Sequence, residues 1–377
     1  MNRRRLFGSA AVGAIAAAVA AAPIAWAQYT SDPFFDSTVQ LSQTIGLELA
    51  LQRLRIVEAI DPPFEAEFAE VVENLTGPDF QRFGGTLAAM DAELAEQLFE
   101  VLEAVAEAVE EGADDEVAYL LPTAREMLNQ AYDLVVPPEV RDTPAFKGAV
   151  MAQLLLGEGG VAEGLEEAFE EEWEYANGWG ATQRIKVLWG DISGLATAEQ
   201  VADIEEMIDA LDAIYPSPEP PESFAGIDPE EAETPAQRIV GFLEVVVDAQ
   251  LYSGRDPARL IGHLAEATAA GCARYEAGED ELGREIMYAV FDHYAGETTG
   301  LGALINLFAP EVHEGAMEGF EHLVVVEDDD DEGGDDDAPA GGDDAAGDDD
   351  DDEGMEAAEA CEVVLEAIEE GRAVLGG

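Results

Sequence analysis

Between residues 92 and 111 the chain carries a pattern that admits one kind of secondary structure. Leu94, Leu98, Val101, Leu102, Val105 and Val109 recur at intervals of mostly three and four, the spacing that gathers side chains on one side of an α-helix. The other side reads Glu93, Glu96, Glu100, Glu103, Glu107 and Glu110, with no lysine or arginine in the segment. Neighbouring acids on this face repel, where a helix of mixed charge would place staggered ion pairs. A helix of this kind depends on burying its apolar stripe. The same period predicts helices over about 37–59, 117–134, 144–156, 161–175, 197–214, 234–252, 279–293 and 312–322. Another opens at Asp256 and Pro257, a cap followed by a first-turn proline, and ends near Gly278. Strand alternation with hairpin turns is nearly absent, so the expected fold class is all-α, packed as antiparallel helical bundles with short connections.

Charge is the second constraint. The 377 residues hold 84 Asp and Glu against 17 Lys and Arg, a formal charge of −67. Binding to nucleic acid is excluded as an expectation, because it needs clustered cations. Apolar residues make up 47% of the chain, enough to build a core in spite of the repulsion. Only two lysines occur, Lys147 and Lys186. Arginine in place of lysine and an acidic surface resemble the composition of proteins from salt-adapted organisms, whose carboxylates stay hydrated at high ionic strength.

Residues 1–27 have the three parts of an export signal: Arg3, Arg4 and Arg5, an Ala-rich apolar run, and Ala25-Trp26-Ala27 as a small-residue cleavage site. The string from Asn2 to Phe7 resembles the twin-arginine signal of prokaryotic export, with Asn2 where Ser or Thr is usual. That resemblance implies a periplasmic or extracellular protein whose mature chain begins at Gln28, carries a charge of −70 after losing three arginines and no acid, and retains no stable membrane span.

The remainder is expected to divide into a helical lobe over 28–195, a second over 196–326, a disordered Asp/Gly acidic linker over 327–354 and a C-terminal helix over 355–377. Prolines 216, 218, 220, 221 and 229 mark a loop that no helix can continue through. Residues 161–170 match 312–321 at six of ten positions, a faint repeat that makes the lobes candidates for duplication. From 327 to 353 there are 17 acids among 27 residues. Such a segment cannot pack, and random-coil scaling gives it a span on the order of 30 Å.

Known catalytic signatures are missing: no nucleophile elbow, Walker loop, dinucleotide fingerprint, H-E-x-x-H or paired C-x-x-C. A comparison with the imelysin-like peptidases fails at their G-x-H-x-x-E hallmark, because Gly262 and His263 are adjacent. The nearest metal-like grouping is His263 with Glu266 on one helix and His293 with Glu297 near the end of the next. Asp328, Asp329, Asp330, Asp331, Asp335, Asp336, Asp337, Asp348, Asp349, Asp350, Asp351 and Asp352 supply hard oxygen ligands for Ca²⁺. Asp328, Asp330 and Glu332 precede Gly333 as in a calcium loop, but Pro339 holds the place of the closing Glu, so binding there would be diffuse and weak. The least generic stretch contains Trp173, Trp179, Arg184, Lys186 and Trp189. It reads either as a ligand patch with indole walls and a cationic anchor or as an aromatic packing joint.

Cys272 and Cys361 each sit on an apolar helical face. In an exported protein a disulfide between them would pin the terminal helix to the second lobe. Taken together, the sequence leads us to expect an exported, non-enzymatic binding or structural protein with low-affinity Ca²⁺ binding. The alternative is a metal-dependent enzyme using the His/Glu grouping; otherwise no cofactor is expected, and the expected partners are cations with a possible protein or small molecule. Because the acidic faces lack cationic partners, the melting temperature should rise by several degrees between about 0.1 and about 2 M NaCl, and further with millimolar Ca²⁺. A flat melting temperature in both titrations would contradict this.

Overall fold

The computed structural model describes residues 38–60, 68–251, 257–296, 300–324, 355 and 357–375. Its long helices are α1 Thr38–Ala59, α2 Ala92–Glu110, α3 Asp114–Val135, α4 Pro144–Leu156, α5 Glu174–Ile192, α6 Ala198–Ile214, α7 Glu230–Val247, α8 Pro257–Glu276, α9 Asp280–Ala295, α10 Pro310–Glu321 and α11 Ala357–Val374. Short helical turns connect several of them, and no strand occurs among the described residues. The fold is all-α, as the periodicity requires. Among the described residues no helix is long and apolar enough to cross a membrane.

α2 shows why the pattern works. Leu98, Leu102, Val105 and Val109 are buried while all six glutamates of the opposite face are exposed. The Asp91 side chain accepts from the Leu94 amide and caps its N-terminus. Gly112 then takes a left-handed backbone with φ 63°, and α3 packs back against α2. Gly278, with φ 73°, makes the corresponding turn between α8 and α9. An L side chain would be strained at either turn.

The helix at the centre is α1, which packs against α3, α4, α5 and α9. One connected apolar core runs from Leu41 on α1 to Ile368 on α11. Gly46 allows a close approach in α1: a Cβ there would meet the Asp79 carbonyl oxygen at 2.5 Å and the Arg82 side chain at 2.7 Å. The short helix Pro78–Gln81 therefore lies directly against α1 and delivers Arg82 to its side.

Two expected helices differ. The single helix over 161–175 is instead a turn Glu163–Glu166, a 3-10 turn Glu167–Phe169 and a break before α5. Glu170, Glu171 and Glu172 follow one another with no cation to offset them. Gly164 also brings backbone against backbone, since a Cβ on it would lie 2.7 Å from the Gly178 amide nitrogen. The repeat partner of this segment lies in the regular helix α10, so the two matched strings adopt different structures. The helix expected from residue 234 begins earlier, at Glu230, with Pro235 inside it.

α11 docks on α8 and α10, burying Ala360, Cys361, Val364, Ala367, Ile368 and Gly371. Cys272 and Cys361 form a disulfide, their Cα atoms 5.5 Å apart. Closing a loop of this length is worth about 4–5 kcal/mol in the chain-entropy model. The Cys272→Ala/Cys361→Ala double variant should therefore lose on the order of 3–4 kcal/mol in denaturant unfolding. Alkylation followed by mass analysis should find two free thiols only after reduction.

Candidate functional site

Beside α1 a cleft with a volume of about 340 Å³ is walled by Leu41, Ser42 and Ile45 of α1, Phe291 and Asp292 of α9, and the 156–163 connection. Arg82 forms its floor, with a side chain only 3% exposed. The guanidinium forks, Nη1 donating to Asp292 Oδ2 at 2.7 Å and Nη2 to Glu158 Oε2 at 2.5 Å. It also stacks over the Tyr288 ring, 4.7 Å from its centroid. The Ser42 hydroxyl donates to the same Asp292 oxygen at 3.0 Å. Burial alone would lower the pKa of Arg82, but Asp292 and Glu158 hold it well above the usual guanidinium value. Burial pushes the Asp292 carboxyl up, and Arg82 pulls it back only in part.

The third carboxylate of the cleft is Glu163. Its Oε2 is shielded from solvent and has no hydrogen-bond partner. Burial first, then the charges of Glu167 and Glu158, push this carboxyl up to about 9, although the Gly159 amide offsets part of the rise. Glu163 is therefore protonated at neutral pH. His293 also lines the cleft, nearly fully buried, with Nδ1 3.0 Å from the Ala289 carbonyl of its own helix. Burial lowers it to about 4, so the imidazole is neutral.

Of the sequence-derived grouping, His293 reaches this cleft, while Glu266 is solvent-exposed and His263 is half-buried on α8. Glu297 and every one of the Asp328–Asp352 ligand candidates lie outside the described residues. Among the described residues no three His, Cys, Asp or Glu come together in a way that could hold a metal ion. The tryptophan patch resolves mainly as packing. Trp173 and Trp189 are buried in the core, and Trp173 meets Phe68 edge-on at 4.9 Å. Trp179 is half-buried against the same core. Arg184 pairs with Glu48 through two 2.6 Å hydrogen bonds, and Lys186 with Asp212 at 2.6 Å.

Arg82, Glu158, Glu163 and Asp292 had no sequence signal of their own, because isolated acids are common in this chain and the four are brought together only by packing. Compared with protein-family models, curated proteins and solved structures, the chain finds no match in any of the three.

The raised Glu163 carboxyl makes a directional prediction. Its folded value lies above the unfolded value of 4.5, so the folded state holds the proton more tightly and stability falls as pH rises from about 4.5 towards 9. Glu163→Gln removes that loss. The variant should gain on the order of 1 kcal/mol or more over wild type at pH 8, and little at pH 4.5, as read by thermal melts. Equal gains at both pH values would contradict the assignment.

Proposed function

We propose that this chain is an exported, non-catalytic binding protein that takes a small organic cation, a protonated amine on a short apolar stem, in the Arg82 cleft. The observation that carries the reading is an imbalance: Glu158, Glu163 and Asp292 face one cleft against the single guanidinium of Arg82, and Glu163 Oε2 is buried without a partner. An ammonium donates up to three hydrogen bonds and suits that oxygen. Leu41, Ile45, Leu156 and Phe291 supply apolar walls for the stem. A bare metal ion suits the cleft less well, because the arginine fork already occupies the space between Asp292 and Glu158. Support for a non-catalytic role is that Ser42 is nearly fully buried and donates its hydroxyl to Asp292, while the neutral imidazole packs on its own helix.

Export follows the reading of residues 1–27, and the Asp-rich run remains a separate proposal for diffuse Ca²⁺ binding. The amine test is calorimetry with the mature chain and a short primary amine such as butylamine at pH 7, 8 and 9. The amine stays charged across most of this range, having a pKa near 10. Binding must displace the Glu163 proton, so affinity should rise towards pH 9 by up to about tenfold per unit. Glu163→Gln should remove both the binding and its pH dependence. Binding that is independent of pH and of Glu163 would overturn the assignment.

A further inference from the structure

A second cleft, lined in part by the pair Glu48 and Arg184, reverses the charge of the molecule. Arg55, Arg125, Arg141, Lys147 and Arg184 all line one space of about 470 Å³. The mature chain has only fourteen lysines and arginines, and like charges gain nothing from being gathered unless something answers them. Four of the five have carboxylate partners. Arg184 holds Glu48, Arg141 holds Asp133 at 2.6 Å, Lys147 holds Asp191 at 2.6 Å, and Arg125 holds Glu58 at 2.6 Å.

Arg55 is different. Among the described residues it makes no ion pair and no hydrogen bond, in a chain with 84 acids to choose from. The carboxylates whose charge it feels, Glu48 and Glu58, are already taken by Arg184 and Arg125. Burial, then repulsion from Arg184, lower its pKa. Five cations line the cleft against four carboxylates, Glu48, Asp133, Asp142 and Asp191. Arg141 takes two of these, Asp133 and Asp142, and Arg125 turns to Glu58 outside the lining, so Arg55 is left as the cation without a partner of its own. Glu58, the partner of Arg125, has a side chain 56% exposed and is screened by solvent. Beside the cations, Leu51, Phe146, Val150 and Leu188 form an apolar floor.

We infer that this cleft is a binding site for an organic monocarboxylate, its two oxygens taken by the guanidinium fork of Arg55 and its apolar body laid on the Leu51–Phe146 floor. Planar, two-point recognition of a carboxylate is what an arginine provides and a lysine does not. A single carboxylate matches the one guanidinium left without a partner, and a monoanion is repelled less than a dianion by a chain of this charge. The bidentate anchor Glu48 fixes Arg184, so the neighbouring wall is held in place before the ligand arrives. This inference uses neither the Arg82 cleft nor its amine reading.

The test is calorimetry on the full mature chain, with benzoate as the probe and inorganic phosphate as the comparison, at constant ionic strength. Benzoate should bind saturably at one site, and phosphate at least about tenfold more weakly because it gains nothing from the floor. Arg55→Gln should weaken benzoate by about tenfold or more, the scale of a lost charge-assisted pair. Arg238→Gln, at an exposed position outside the cleft, should leave it unchanged. If Arg55→Gln alters the circular dichroism spectrum, Arg55→Lys is read instead: it keeps the charge, loses the fork and should still weaken benzoate several-fold. No saturable benzoate binding by wild type, equal binding by the Arg55 variant, or phosphate binding as tightly as benzoate would overturn the proposal.

Discussion

The structure depends on α1, a helix that is buried on nearly every side and yet is not apolar. Seventeen of its 22 residues are buried, among them Ser42, Gln43, Thr44, Glu48, Gln52 and Arg53. A buried polar group without a partner costs about 1–3 kcal/mol, more when charged. Each of these side chains makes at least one hydrogen bond, most of them to a separate part of the chain, although Gln52 Oε1 is left without a partner. Gln43 donates to Thr86 and to the fully buried Glu285. Ser42 meets Asp292 on α9, and Glu48 meets Arg184 on α5 and Tyr132 on α3. Gln52 donates to the Gly159 and Asn177 carbonyls. Arg53 is answered by Asp79 at 2.8 Å and the Val71 carbonyl at 2.7 Å. Sliding any neighbour by one turn would strand several of these groups together, so the polar spine sets the register that leucines and valines alone would leave loose.

The same spine accounts for where the scarce cations go. Arg53 and Arg82 have side chains at most 5% exposed, which is uncommon for arginine. Their carboxylate partners make that burial tolerable, since removing either member would leave a buried charge alone. The consequence is a division of the molecule by charge. Arg53, Arg82 and Arg184 lie on α1 or against it, while the outward face of α2 holds only acids. Both clefts border α1, and each gains its polar lining from that arrangement. The Arg82 cleft has more carboxylates than its arginine can answer, and the other cleft holds in Arg55 a guanidinium that no carboxylate answers.

Legibility in the sequence follows from what periodicity can and cannot encode. α2 reads directly, because one face is wholly apolar and the other wholly acidic. The pairing of Cys272 with Cys361 reads as well, because two thiols on two apolar faces leave one partner each. α1 shows a helical segment but hides its polar spine. A residue such as Gln52 or Glu48 carries no mark that it points inward, and Glu48 meets its partner 136 residues away. Arg184 stood out through scarcity alone, and its scarcity was informative. The tryptophans beside it stood out for the same reason, yet their size is used to fill the core. Gly46 hides for another reason: a glycine in a helix looks like a weakness until the Asp79 carbonyl is seen against it. The break at 170–173 was obscured because apolar spacing continues through it while the glutamate run opposes it.

These two layers respond differently to salt, which explains how a chain of such charge can keep a folded centre. Repulsion among the exposed glutamates acts through solvent over distances comparable with a Debye length of about 8–10 Å, so dissolved ions weaken it. The pair Arg53–Asp79 acts across 2.8 Å with both side chains nearly fully buried, where dissolved ions screen little. Added salt therefore relieves what opposes folding and leaves what specifies it. An apolar core with a neutral spine would gain from salt in the same way, but nothing in it would fix α1 against four partners at once. A spine of exposed ion pairs would lose with salt what the surface gained. Burying a cation such as Arg53 with its carboxylate inside and leaving surplus acids such as the glutamates of α2 outside separates the two effects in space.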